Sequence, residues 1–140
     1  MGEVCGERLR FVRCASMSIL IAAALAQATI AQTKWERRVL LVAAPSATDP
    51  QMVEQRRILA NWRKESAERD LAIVEIIGDR VTGAADTGPD IRRKYHLPPG
   101  FTAILIGKDG GEKLRSPRPF PAAALAETID AMPMRRAGQR

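Results

Sequence analysis

The two cysteines of this 140-residue chain, Cys5 and Cys14, carry its most versatile chemistry, and both lie close to the N-terminus. Thiolates perform disulfide exchange and nucleophilic catalysis, and they bind soft metals. Both cysteines precede a stretch of small residues typical of an export-signal cleavage region. We therefore expect the processed chain to contain no cysteine and to perform no thiol chemistry with its own side chains.

Residues 1–31 have the pattern of a signal peptide. A basic stretch with three arginines precedes the apolar run ILIAAALA at 19–26, and cleavage after Ala28 or after Ala31 fits the small residues that follow. The apolar run is shorter than the ~20 residues that span a bilayer as a helix, so an uncleaved anchor is the less favoured alternative. Translation could start at Met1 or at Met17. The pattern predicts a periplasmic or secreted protein.

A candidate ligand pocket lies at the start of the first helix predicted for the processed domain. Ser46, Thr48, Asp49 and Gln51 stand around that helix start. Free backbone N–H groups and the helix dipole attract anions at such a position. Asp49 followed by Pro50 is also a typical helix start, with an N-cap carboxylate and a proline in the first turn. Capping is the alternative interpretation, and the cap preference favours it over ligand binding.

A second candidate is a cationic rim formed by Lys108, Lys113, Arg115 and Arg135. The first three lie on or near one predicted hairpin, and Arg135 follows the last predicted helix. Such a rim could bind phosphate, carboxylate or anionic lipid headgroups. The alternative is an edge strand whose charges prevent aggregation. The partner expected from these patterns is an unknown anionic ligand or an envelope protein.

Other chemistries have little support in the sequence. His96 is the single histidine, so no metal or other cofactor is expected, and Ser46 has no His or Asp partner at a spacing that suggests a hydrolase. The net charge is +6, of which residues 1–31 carry +1, leaving +5 on the processed domain. The six aromatic residues are too few to suggest nucleic-acid stacking. We expect a monomer that contacts a membrane only through its signal segment.

Apolar runs and helix-start signals define the elements that would position these residues. Three continuous apolar runs with β-branched residues predict buried strands at 39–44, 71–77 and 102–106. The alternating segment 113–115 predicts an edge strand, whereas the polar stretch 78–89 is typical of a loop. Helices are predicted from Asp49, over 90–97 and after Pro121. The order is a β-α-β-α-β-β-α sandwich, an α/β fold with a four-stranded mixed sheet.

This order resembles the thioredoxin fold, and the segments YHL at 95–97 and TAILIGKDG at 102–110 are similar to the thioredoxin stretch that enters the third strand. Three blocks, RVLLVAAPS at 38–46, LIGKDGGEKLR at 105–115 and IDAMPMRR at 129–136, resemble a bacterial domain-of-unknown-function family. That family is related to the peroxiredoxin-like DUDES domains of sushi-repeat extracellular proteins. The resemblance implies a thioredoxin-like domain over 32–136, a basic tail over 137–140, and export. It implies no established activity.

The resemblance also implies where redox chemistry is missing. The tetrapeptide Thr48-Asp49-Pro50-Gln51 falls where thioredoxins carry Cys-Gly-Pro-Cys, so Thr48 and Gln51 stand at the two sulfur positions. Neither side chain forms a thiolate or a disulfide. We therefore expect an exported, non-redox binding or interaction module and assign no catalytic residue. The alternative is a peroxiredoxin-like or other oxidoreductase that acts without its own cysteine.

Overall fold

The computed structural model describes residues 28–132. Nine regular elements follow a short 3-10 turn at Ala31–Thr33 within this range. The strands are β1 (Arg38–Ala44), β2 (Leu71–Ile77), β3 (Arg80–Thr82), β4 (Thr102–Ile106) and β5 (Glu112–Ser116). The helices are α1 (Pro50–Asn61), α2 (Arg63–Glu68), α3 (Gly88–Lys94) and α4 (Ala122–Asp130). None of the helices described is long and apolar enough to cross a membrane.

The sheet has five strands in the order β3-β2-β1-β4-β5, which corrects the predicted count of four. β1 runs parallel to β2 and antiparallel to β4, and β3 and β5 pair antiparallel at the two edges. The additional strand, β3, lies inside the stretch predicted as a loop. It has only three residues, and two of them are exposed. Such a strand has no apolar run that would reveal it in the sequence.

β1 lies at the centre of the sheet and contributes alternate side chains to two hydrophobic clusters. Leu40, Val42 and Ala44 pack on one face with residues of α1 and α4. Val39, Leu41 and Ala43 pack on the opposite face with Ile91 of α3. This alternation follows the two-residue period of a strand. The three predicted apolar strands are therefore the interior strands of the sheet, and the predicted edge strand is β5.

α1 begins where the sequence predicts it and ends earlier than a single long helix would. The Asp49 carboxylate accepts hydrogen bonds from the amides of Gln51 (2.9 Å) and Met52 (3.4 Å). At Trp62 the backbone leaves helical geometry before α2 begins, and the indole is buried with only 8% exposed, as predicted. The break turns the indole into the cluster between α1, α4 and the sheet.

The segment before β1 is part of the folded domain from residue 28 onward. The Ile30 side chain is 6% exposed and belongs to the cluster on the α3 face. Its amide donates a hydrogen bond to the Asp86 carboxylate (2.7 Å), and the Ala85 amide donates to the Ala28 carbonyl (3.1 Å). Apart from residues 28–31, the predicted signal peptide lies outside the described residues. Arg135 and the predicted tail at 137–140 also lie outside them.

Candidate functional site

The predicted pocket at the start of α1 is an exposed, capped helix end. Ser46, Thr48 and Gln51 are exposed, and the Ser46 and Thr48 hydroxyl oxygens lie 3.3 Å apart. The Asp49 carboxylate already accepts two backbone N–H groups that an anion would otherwise use. The geometry is that of ordinary capping. Ligand binding at this corner stays a prediction.

Lys108 does not lie on an exposed rim, which corrects its predicted placement. Its side chain is only 1% exposed, and its ammonium lies 3.1 Å from a carboxylate oxygen of Asp70. Asp70 stands in the turn before β2 with a φ of 52°, and its carboxylate accepts a hydrogen bond from Lys108, which follows the end of β4. Lys108 is therefore the buried half of an ion pair that joins the start of β2 to the end of β4.

The other two described cations of the predicted rim are exposed and paired. Lys113 contacts Asp109 (2.9 Å), and Arg115 contacts Glu112 (2.8 Å). The hydrogen bond that Lys113 donates to the Asp109 carboxyl lowers the pKa of that group, and the hydrogen bond from the Gly111 amide lowers it further. The bond from Arg115 similarly lowers the pKa of the Glu112 carboxyl. Much of the positive charge on this hairpin is therefore neutralised locally.

A different set of cations converges on a cavity of about 280 Å³ on the α3 face of the sheet. Lys34 and Arg37 belong to the segment between the 3-10 turn and β1, and Lys94 is the last residue of α3. All three side chains belong to exposed residues at the mouth of the cavity. The fold thus brings together cations from segments about 60 positions apart, Lys34 and Lys94 being the extremes.

These three cations have no carboxylate partner within residues 28–132. The Lys34 ammonium lies 5.4 Å from the centre of the Trp35 ring, and the Lys94 ammonium lies 5.4 Å from that of Tyr95. Cation–π contacts of this kind hold an ammonium in place without neutralising it. Asp109 also lines the cavity, but its carboxylate is bonded to Lys113 and to the Gly111 amide.

The inner wall of the cavity is apolar and firmly held. Ile30, Val39 and Ile106 line it, and each is less than a tenth exposed. Val39 and Ile106 are register partners across β1 and β4, so the sheet itself fixes this wall. Tyr95 lines the cavity beside them, and burial, together with the nearby Asp86 charge, raises the pKa of its phenol. The cavity therefore places an apolar floor beneath a cationic mouth.

No local sequence motif predicts this cavity. The basic stretch KWERR at 34–38 is a short signal for cations just before the first strand. Lys94 ends a helix where any basic residue would be favoured by the helix dipole. Only the packing of α3 and of the segment 28–33 against one face of the sheet brings them to one mouth.

The remaining candidate features give weaker support for a binding site. An open groove of about 600 Å³ lies between α1 and the start of α4, and its Arg57 is already paired with Glu54. Within residues 28–132, no group of three or more His, Cys, Asp or Glu side chains is arranged to hold a metal ion. His96 follows α3 with a φ of 52° and marks the turn out of that helix.

Comparison with known proteins identifies both a family and a fold. The family described as "Domain of unknown function (DUF4174)" matches residues 29–138. Reduced 2-Cys peroxiredoxin from Plasmodium vivax superposes with a TM-score of 0.55 at 13% identity, covering 73% of this chain and 80% of that chain. DsbH oxidoreductase superposes with a TM-score of 0.50 at 16% identity, covering 79% and 86%. These similarities confirm the predicted thioredoxin-like α/β fold.

Proposed function

We propose that this chain, which belongs to the DUF4174 family, is an exported binding domain that holds an anionic ligand between Lys34, Arg37 and Lys94 and performs no thiol chemistry. The observation that carries the proposal is the convergence of three cations without carboxylate partners on one cavity. On the neighbouring hairpin, by contrast, Lys113 and Arg115 each have an acidic partner. The cavity is therefore the place where a negatively charged ligand supplies the missing counter-charge.

The surroundings of the three cations favour the binding of an anion between them. Like charges at one mouth repel one another, and an anion between them removes that repulsion while gaining charge-assisted hydrogen bonds. The apolar floor excludes water from one side, which lowers the effective dielectric and strengthens the attraction. Lys34 and Lys94 rest on aromatic rings, so less side-chain freedom is lost when they bind.

Export and a wider family relationship belong to the same proposal. The basic, apolar and small-residue pattern of residues 1–31 supports export. The blocks that resemble the bacterial relatives of the DUDES domains support an extracytoplasmic binding role. The absence of cysteine between residues 15 and 140 supports a ligand-binding task without thiol chemistry.

Calorimetric titration of the recovered chain with pyrophosphate tests the anion site directly. Binding is expected in low salt and should weaken as salt rises, because exposed charges are screened over about 8 Å at physiological ionic strength. Arg37→Ala and Lys94→Ala should each weaken binding about tenfold or more, the usual effect of losing a hydrogen bond to a charged group. Arg80→Ala is the charge-matched control, since Arg80 is exposed on the distant strand β3.

Arg115→Ala separates the cavity from the rim that the sequence suggests. Affinity that falls with Arg115→Ala as much as with Arg37→Ala would move the site to the hairpin. An affinity that changes neither with salt nor with Arg37→Ala or Lys94→Ala would overturn the proposal. Equal losses for Arg37→Ala and Arg80→Ala would mean that only net charge matters.

A further inference from the structure

We infer that the ligand of the cationic cavity is a small organic acid with an apolar body, whose acid group meets Lys34, Arg37 and Lys94 while its body covers the floor. This inference rests on the proposed function and adds the chemical class of the ligand. It follows from three features of the cavity: the contrast between its exposed cations and its buried apolar side chains, its size, and the part of the chain that forms its floor.

The lining combines exposed cations with buried apolar side chains. The three cations are exposed residues, whereas Ile30, Val39 and Ile106 are almost fully buried. Where these apolar side chains meet the cavity, an apolar group that displaces water from them is favoured. An inorganic anion can pair with the three cations, but it leaves the apolar side chains of the floor in contact with water. An acid with an apolar body can both pair with the cations and cover these side chains.

The size of the cavity limits the ligand. A volume of about 280 Å³ is just below the range of about 300–1,000 Å³ typical of sites for drug-sized ligands. An oligosaccharide exceeds this space and has no apolar end to place on the floor. A short aliphatic or aromatic acid fits both the volume and the polarity.

One part of the floor comes from the segment before β1. Ile30 is held there by the hydrogen bond that its backbone amide donates to the Asp86 carboxylate. The Ala85 amide donates a second hydrogen bond, to the Ala28 carbonyl of the same segment. The same segment leads directly to Lys34 and Arg37 at the mouth. Part of the floor and two of the three cations are therefore built by one short stretch of chain, 28–37, which couples apolar and ionic recognition.

A chain-length series of straight-chain carboxylates tests this class. The unaltered chain is titrated calorimetrically with acetate, butanoate, hexanoate and octanoate at constant low salt. Affinity should rise by at most about fourfold for each added methylene, the usual gain for burying one such group. The rise should level off after the first few methylenes, because Ile30, Val39 and Ile106 expose only 6%, 2% and 2% of their surface. Pyrophosphate should compete with hexanoate, because both use the same cations.

Two matched valine substitutions in β1 test whether the rise in affinity with chain length arises at the floor of the cavity. Val39→Thr keeps the shape of the side chain but places a hydroxyl in the floor, so the rise in affinity with chain length should flatten. Val42→Thr makes the same change on the opposite face of the same strand, where the residue is also buried, and should leave that rise unchanged. Thermal unfolding of both variants checks that the comparison concerns folded protein.

The two proposals fail in different ways. Affinity that does not depend on chain length, but still falls with salt and with Arg37→Ala, overturns the inferred ligand class and leaves the anion site standing. Affinity that rises with chain length but ignores salt and Arg37→Ala overturns the anion site. Absence of binding by every carboxylate and by pyrophosphate overturns both. These outcomes need only the unaltered chain and one exposed-site variant.

Discussion

At the scale of single residues, a partner decides what each cation does. Lys108 has a buried ammonium that is matched by Asp70, so its charge serves the fold. Lys113 and Arg115 are exposed and matched, so their charge is largely cancelled. Arg37 is exposed and has no described partner, so its charge is available to a ligand. Residue type alone does not separate these three situations.

The Lys108–Asp70 pair gives an asymmetric prediction for stability. Asp70→Asn keeps a residue that tolerates a φ of 52° but leaves a buried ammonium without counter-charge. Its expected cost is about 3–5 kcal/mol of unfolding free energy. Lys108→Met removes the buried charge and leaves a carboxylate that is 34% exposed to water, so its cost should be smaller, about 1 kcal/mol.

Urea denaturation of the two variants measures this difference. Similar losses would show that the ammonium has another way of being solvated. A larger loss for Lys108→Met than for Asp70→Asn would contradict the assignment of Lys108 as the desolvated partner.

At the scale of elements, apolar runs and helix caps predict the interior strands and the start of α1. They do not predict pairings that form only when distant segments pack together. The runs that begin at Val39, Leu71 and Thr102 correspond to interior strands, because buried strands need continuous apolar sequence. Asp49 caps α1 because a carboxylate followed by proline has a strong local preference for a helix start. β3 could not be found, since its pairing with β2 depends on tertiary contacts rather than on its own residues.

The sequence does not show the candidate site for a related reason. Lys34, Arg37 and Lys94 meet only after α3 packs on the sheet, and no spacing rule links them. The predicted rim included Lys108 because the sequence does not show that Asp70 pairs with it. Sequence patterns predict the elements well, whereas the identity of each charge partner depends on the assembled fold.

Gly83 gives a prediction at the level of the β3 edge. It has a φ of 96°, and a Cβ built there would lie 2.4 Å from the Ile73 carbonyl oxygen. Gly83→Ala should therefore cost about 2 kcal/mol or more, from backbone strain and displacement of β2. Gly100→Ala is the control, because a Cβ there meets nothing within 4 Å and its φ is not in the left-handed region.

Thermal unfolding compares the two glycine variants. Gly100→Ala should be neutral or stabilising by about 0.4–1 kcal/mol through a less flexible unfolded chain. A small effect of Gly83→Ala would mean that β3 and the residue after it are free to move away from β2.

The segment before β1 predicts the processed N-terminus. Cleavage after Ala31 would remove Ile30 from the core and leave the Asp86 carboxylate without its amide donor. Losing a buried side chain of this size costs about 2–5 kcal/mol. Cleavage after Ala28 removes only the carbonyl that accepts from the Ala85 amide, so it is the expected position. Intact mass of the exported protein should correspond to a chain that begins at Thr29. A mass corresponding to Gln32 would show that this packing is not required.

At the scale of the whole molecule, the proposed site and the pocket predicted at the start of α1 lie at opposite ends of β1. Thr48 and Gln51 follow the end of that strand at Ala44, whereas the cavity reaches Val39 near its start. The same sheet can therefore support binding at one end while the other end carries only a helix cap. Thioredoxin folds host different tasks, so the resemblance to a peroxiredoxin and to DsbH describes the architecture alone.

The last prediction concerns thiol chemistry in the intact protein. Disulfide exchange and peroxide removal by thiols require a thiolate nucleophile, and residues 15–140 contain no cysteine. The chain carrying Cys5→Ser and Cys14→Ser should therefore be exported, bind pyrophosphate as tightly as the unaltered chain, and show no acceleration of insulin reduction or peroxide consumption with dithiothreitol. Unaltered binding would exclude misfolding as the reason for inactivity. Clear turnover by this variant would instead favour an oxidoreductase that works without its own thiol. Thr48→Ala and Gln51→Ala would then test whether the corner at the start of α1 carries that reaction.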